Sequence, residues 1–191
     1  MNTKEYFSNL KSCLDAVEVR DQRGNPLPLQ KTIDEIARLA IGAAKKGNKV
    51  MIIGNGGSAS IASHTAIDLL KNAKVPALAF NDPSFLTCLA NDLGYESVFS
   101  VPVERLSKRG DLFIAISSSG KSKNILNAAK TAKKKNNVVV TLSGFKRNNP
   151  LRPLGHINFY VPSNAYGFVE IAHSVLCHWI TDQIMQKRMH G

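Results

Sequence analysis

Residues 50–68 read VMIIGNGGSASIASHTAID, and the fold turns on them. The apolar run Val50 to Ile53 halts at Gly54-Asn55-Gly56-Gly57-Ser58, and a segment with helical spacing follows. The pattern predicts a buried strand, a small-residue loop and a helix over 58–72. A loop at a helix N-terminus suits a phosphate, because free backbone N–H groups and the helix dipole favour an anion there. Glycines let the backbone approach a ligand with no side chain between them. His64 and Asp68 stand four residues apart, so they share a helical face and can hold one ligand or bond each other.

Upstream, Phe7, Leu10, Leu14 and Val17 recur at helical spacing, as do Ile33, Ile36, Leu39, Ala40 and Ala43. Arg23-Gly24-Asn25-Pro26-Leu27-Pro28 breaks the pattern between the two sets. Residues 1–46 are therefore expected to form a helical hairpin ahead of the first strand. Downstream, apolar runs at 76–80, 112–116, 138–142 and 157–161 predict four more strands. Helical segments at 84–91, 97–106, 124–135 and 166–187 separate or follow them. The alternation predicts a single α/β domain over 1–191, a three-layer α/β/α sandwich with a mostly parallel five-stranded sheet. Ligands in such sheets sit beyond the carboxyl ends of the strands. The loops 54–58 and 117–122 both leave strands at that end and are expected to face one ligand.

The chain of 191 residues is long enough for one sizeable core, and no Pro/Gly/Ser-rich linker divides it. Three cysteines, Cys13, Cys88 and Cys177, without C-x-x-C spacing, suggest a reducing cytosol rather than a disulfide framework. The charged N-terminus lacks the apolar core of a signal peptide or a membrane span, so a cytoplasmic protein with no membrane partner is expected. The formal net charge of +11 raises the possibility of a polyanion surface. Its densest cluster, Lys130, Lys133, Lys134 and Lys135, is better read as the solvated C-terminal end of a helix. Nucleic acid is therefore not the expected partner, and a basic excess serves an anionic sugar phosphate equally well.

Gly54-Asn55-Gly56-Gly57-Ser58-Ala59 also satisfies a permissive dinucleotide pattern, with Asp82 near the place of a ribose-binding acid. That reading gives the second polar loop no task. Gly120-Lys121-Ser122 matches the end of a P-loop, but the pattern requires glycine at 115 and the chain has Ala115. What remains at 117–122 is a serine-rich turn whose hydroxyls and N–H groups can surround phosphate oxygens, or cap the following helix. On the last helix, Glu170 and His178 lie about two turns apart, with His173 between them on what is expected to be a solvent-facing edge. Two histidines and two carboxylates, His64, Asp68, Glu170 and His178, make a plausible divalent-metal set.

As a set, several segments resemble the sugar isomerase (SIS) domain proteins, and within them the sedoheptulose-7-phosphate isomerases, or phosphoheptose isomerases. They are Gly54-Asn55-Gly56-Gly57-Ser58, His64, Leu89-Ala90-Asn91-Asp92-Leu93-Gly94-Tyr95, Gly110-Asp111, the run from Ile116 to Ile125, and Thr141-Leu142-Ser143-Gly144. The resemblance implies substrate contacts at Asn55, Gly56, Gly57 and Ser58 and at Asn91 and Asp92, with Ser117, Ser118, Ser119 and Ser122 as a phosphate cradle. It implies a zinc ion, or another divalent metal, on His64, Asp68, Glu170 and His178. It also implies catalysis by Asp68, Glu170 and His178, and a homotetramer whose active sites form between subunits, with 1–46 used in assembly. The chain departs from the family pattern at the site: Asp68 replaces a glutamate, Glu170 a glutamine, Ala59 a histidine and Gly167 an acidic residue. Asp68 is shorter by one C–C bond, about 1.5 Å of reach. The expected reaction is aldose–ketose isomerisation through an enediol. Two alternatives stand beside it: a non-catalytic relative that binds the replication initiator DnaA, and an isomerase of another phosphosugar.

Overall fold

Val50 and Ile52 project to one side of the strand they form, Met51 and Ile53 to the other, and all four are fully buried. A strand buried on both faces needs a helical layer on each side. The computed structural model, which describes residues 1–189, shows those layers. The chain runs through α1 (Thr3–Asp15), β1 (Glu18–Asp21), α2 (Leu29–Lys45), β2 (Val50–Ile53), α3 (Gly57–Lys71) and β3 (Ala77–Ala79). It continues through α4 (Pro83–Leu93), α5 (Ser100–Leu106), β4 (Leu112–Ser117), α6 (Lys123–Lys134), β5 (Val138–Ser143), β6 (Ile157–Tyr160) and α7 (Tyr166–Met189). Side chains of α2, α3 and α7 pack with Val50, Ile52, Ile114 and Leu142 on one face of the sheet. Those of α5 and α6 pack with Met51, Ile53, Phe113 and Val139 on the other.

The sheet order is β1-β6-β5-β4-β2-β3, parallel throughout except for the antiparallel pair β1 and β6. Six strands thus replace the expected five, and 1–46 is helix–strand–helix rather than a hairpin. The added strand, Glu-Val-Arg-Asp, carries three charged residues in four, so it has no strand signature of its own. Pairing with β6 over Glu18↔Tyr160 to Asp21↔Ile157, and burial of Val19, hold it in place. As an edge strand it tolerates charge, which also guards an edge against further pairing.

The helices that follow β2 and β4 go to opposite faces of the sheet, although the two strands are neighbours. That divergence opens a crevice at their carboxyl ends, where open α/β sheets bind ligands. The lysine-rich end of α6 is solvated as expected: Lys130 and Lys134 are exposed, and Lys135 pairs with Glu104 at 3.5 Å.

Candidate active site

The first loop is shaped by glycine at three successive needs. A Cβ on Gly54 would collide with the backbone of Ser58, so the chain can turn into α3 only without one. Gly56, the N-cap of α3, has φ +55°, a conformation that favours glycine. At Gly57 a Cβ would stand 2.5 Å from Glu170 Oε2 and 2.7 Å from its Oε1, so the carboxylate of α7 lies directly over the first turn of α3. That is where a helix favours negative charge.

Glu170 shares a cavity of about 140 Å³ with both loops: Asn55 and Ser58 from the first, and Ser117, Ser118, Ser119 and Ser122 from the second. A second cavity of about 290 Å³ continues from it over Asn55 and Ser122 to Tyr95, Lys123 and Asn124. The two loops therefore do face one space, of the size that small-molecule sites occupy. Within the serine loop the Gly120 N–H donates to Ser117 Oγ at 3.2 Å, and the Lys121 N–H to Ser119 Oγ at 3.3 Å. Ser118 Oγ is buried without a hydrogen-bond partner, and Ser122, the N-cap of α6, makes no capping bond through its side chain. A stability cap would use the Ser122 hydroxyl; here it makes no capping bond, and both serines line the cavity.

About two to three helical turns further along α3, Asp68 Oδ2 lies 3.2 Å from His64 Nε2 and 3.7 Å from His178 Nδ1. The two imidazoles meet edge to face with centroids 5.2 Å apart. Donor atoms of all three residues lie within 4.8 Å of one another. A tetrahedral ion with bonds near 2.0–2.1 Å spaces its ligand atoms by about 3.3 Å. Two imidazoles and a carboxylate, with one position left open, are the donor set of a catalytic zinc site, so these residues fit the metal. Asp68 Oδ1 accepts from Asn72 Nδ2 at 3.1 Å, which orients the carboxylate. Glu170 is not in this convergent group among the described residues. Its carboxylate lies over Gly57 and lines the cavity with the serine loop.

Other expected site residues are placed differently. Asn91 and Asp92 are exposed on α4, where Asn91 Nδ2 donates to Asp92 Oδ1 at 2.8 Å, and they line neither cavity of the single chain. Asp82 is the N-cap of α4, accepting from the Phe85 N–H at 3.0 Å, so the ribose-acid reading fails. His173 is fully buried, not on a solvent-facing edge, and desolvation lowers its pKa to about 4.

The SIS domain family matches residues 5–144. A phosphoheptose isomerase from Cytophaga hutchinsonii is 42% identical over 72% of this chain and 74% of its own length. One from Aliarcobacter butzleri is 36% identical over 98% of this chain and 97% of its own. The chain belongs to the phosphoheptose isomerase family of SIS domain proteins. The phosphoheptose isomerase GmhA from Neisseria gonorrhoeae shares the fold with a TM-score of 0.82 at 26% identity, over 95% of this chain and 96% of that one. Among the described residues no helix is long and apolar enough to cross a membrane.

Three further residues stand at the candidate site of this phosphoheptose isomerase family member. Asn55 and Asn124 exchange reciprocal amide bonds of 3.0 and 2.9 Å, and Tyr95 Oη donates to Asn55 Oδ1 at 3.2 Å. The clasp ties the first loop to the helix behind the serine loop. Tyr166, at the start of α7, lines the smaller cavity. Tyr95 and Asn124 both stand inside the segments that carry the family resemblance, which is the signal that marks them.

Proposed function

We propose that the chain interconverts sedoheptulose 7-phosphate and D-glycero-D-manno-heptose 7-phosphate through an enediol, in the cytoplasm, for heptose and glycan synthesis. The observation that carries this reading is Glu170: a carboxylate over an α-helix N-terminus, in one cavity with a serine loop fit for phosphate. The loop 117–122 and the N-terminus of α6 receive the phosphate. Binding that remote group fixes the reacting end of the sugar near Asn55, Gly56 and Gly57.

Glu170 is then the base. Its carboxylate makes no side-chain hydrogen bond among the described residues, whereas both oxygens of Asp68 are engaged. Starting from the ketose, Glu170 takes a proton from C1, and the C2 carbonyl oxygen is protonated as the enediol forms. The O1 hydroxyl then gives up its proton and Glu170 returns its own to C2, leaving the C1 aldehyde. His178 turns Nδ1 toward Asp68, which leaves Nε2 to serve those transfers. His64, Asp68 and His178 would hold a zinc or similar divalent ion, which when bound would polarise the carbonyl.

The protein is also proposed to work as a homotetramer. Ile67, Leu70 and Val175 expose apolar surface on the helices that carry the two histidines, and α1 exposes Phe7 at 64%. A second subunit over these faces also brings groups to a site that Asn91 and Asp92 do not reach within one chain.

Conversion of sedoheptulose 7-phosphate, followed by NMR with the zinc-loaded protein, tests the reading. Asp68→Ala and Glu170→Ala are each expected to cut turnover by at least about 100-fold while leaving the oligomer intact. Full rates in both remove the catalytic assignment. Capture of the replication initiator by a protein without turnover favours the binding alternative.

A further inference from the structure

A second concave site lies at the opposite sheet edge from β3, where β1 and the turn after it meet the segment 146–153. Its volume is about 480 Å³, and four arginines line it: Arg20, Arg23, Arg147 and Arg152. We propose that this pocket binds a small molecule carrying two or more phosphate charges, separately from the isomerase site.

The pocket is built rather than incidental. Arg152 is buried, donates to Glu18 Oε2 at 2.9 Å and to the Arg147 carbonyl at 2.9 Å, and stacks its guanidinium 4.3 Å from the centroid of Tyr160. Asn149, also buried, donates through Nδ2 to Ser143 Oγ and accepts the Arg152 N–H, which fixes the turn that presents these arginines. The turn on the other side is fixed by Asp21, whose carboxylate accepts from the Arg23 and Asn25 N–H groups at 2.8 and 2.9 Å.

Charge selects the ligand. Glu18 is the one carboxylate paired to Arg20, Arg147 and Arg152, and Asp21 is spent on its own turn. The arginine side chains therefore present two positive charges more than Glu18 and Asp21 compensate. Arg23 makes no side-chain hydrogen bond or ion pair among the described residues, and neither do the exposed amides of Gln22 and Asn148, which are open to hydroxyls. Guanidinium forks match phosphate oxygens in pairs, which lysines do not. Tyr160 is covered by Arg152 and flanked by Arg147, so no aromatic face is open to stack a nucleobase, and the chemistry selects a diphosphate or a sugar bisphosphate. Among the described residues, none lines both this cavity and either of the two at the isomerase site; Asn149 lines this one and packs on Gly120 of the serine loop.

Calorimetric titration of inorganic diphosphate into the full-length protein at physiological salt tests the proposal. Arg23→Ala is the decisive variant, because that exposed side chain supports nothing in the fold. Arg23→Ala and Arg147→Ala are each expected to weaken diphosphate binding about tenfold, while KM for the sugar phosphate is unchanged. Arg147→Lys, which keeps the charge and loses the fork, is expected to fall between. Superposable isotherms for the wild type and Arg23→Ala overturn the proposal. So does binding of duplex DNA that depends on these arginines without any binding of diphosphate.

Discussion

Replacing Gly57 by alanine tests the position of Glu170 without touching Glu170. The new Cβ would lie 2.5 Å from Glu170 Oε2 and 2.7 Å from both Cδ and Oε1. Ordinary contact needs about 3.5 Å, so the carboxylate must retreat by about 1 Å. The carboxylate is the free end of a flexible side chain, and Gly57 is the first residue of α3 with no positive φ, so alanine costs the fold little there. A misplacement of about 1 Å at a reacting centre costs about 100-fold in rate, or about 2.7 kcal/mol of barrier. The expected result is a fall in kcat of that order on sedoheptulose 7-phosphate, with the thermal midpoint within a few degrees of the parent. Gly54→Ala is the contrasting control: its Cβ meets the Ser58 backbone, which cannot retreat, so stability is lost with activity. Wild-type kcat in Gly57→Ala would refute the assignment of Glu170 to the reacting end.

Further outcomes follow from the same geometry. Glu170→Gln alone leaves Asp68 as the sole carboxylate, too short by about 1.5 Å; adding Asp68→Glu restores the family arrangement and is expected to recover at least tenfold of the lost kcat, whereas no recovery argues against exchangeable roles. Burial holds His173 neutral, with a pKa lowered from 6.5 to about 4 and only partly offset by the Ser143 backbone. Between those values the unfolded chain binds a proton that the folded chain refuses, so stability rises with pH across that window and falls on acidification, by about 3 kcal/mol in all. Urea midpoints at pH 7 and pH 4.5 measure it, and His173→Leu is expected to flatten the slope; an unchanged slope sinks the attribution. Cys177 is buried, with its thiol pushed up to about 12, while Cys88 is exposed. Native protein at pH 8 is therefore expected to lose Cys88 to a thiol reagent promptly and Cys177 only on unfolding, as mass mapping of the labelled sites will read.

The residues that made the fold legible are those whose pattern is local. Val50 to Ile53 and Val138 to Leu142 announce two-sided burial by composition alone, and the glycine and serine loops mark the carboxyl end of the sheet. β1 escaped because its four residues take their structure from β6, a partner more than 130 residues away, and from ion pairs to Arg147 and Arg152. His64 and Asp68 were readable as a pair because helical spacing sets their distance. The third member, His178, comes from α7, and only tertiary packing brings its ring 5.2 Å from that of His64. Packing also divides the four expected metal residues, gathering donor atoms of His64, Asp68 and His178 within 4.8 Å of one another and putting the Glu170 carboxylate over Gly57. His173 shows the same limit: its helix carries polar residues on several sides, so periodicity does not tell a buried histidine from an exposed one. Asn124 looks like an ordinary helix-start residue until its amide is seen bonded to Asn55 across the site.

Deuterium uptake reports the central claim most directly, because proton transfer between C1 and C2 is what the Glu170 cavity is assembled to do. Zinc-loaded protein, incubated with sedoheptulose 7-phosphate in deuterated water, is expected to form the heptose aldose with deuterium at C2, and to label C1 of the remaining ketose as the reaction reverses. Neither label nor aldose, from folded and metal-loaded protein, would contradict the account.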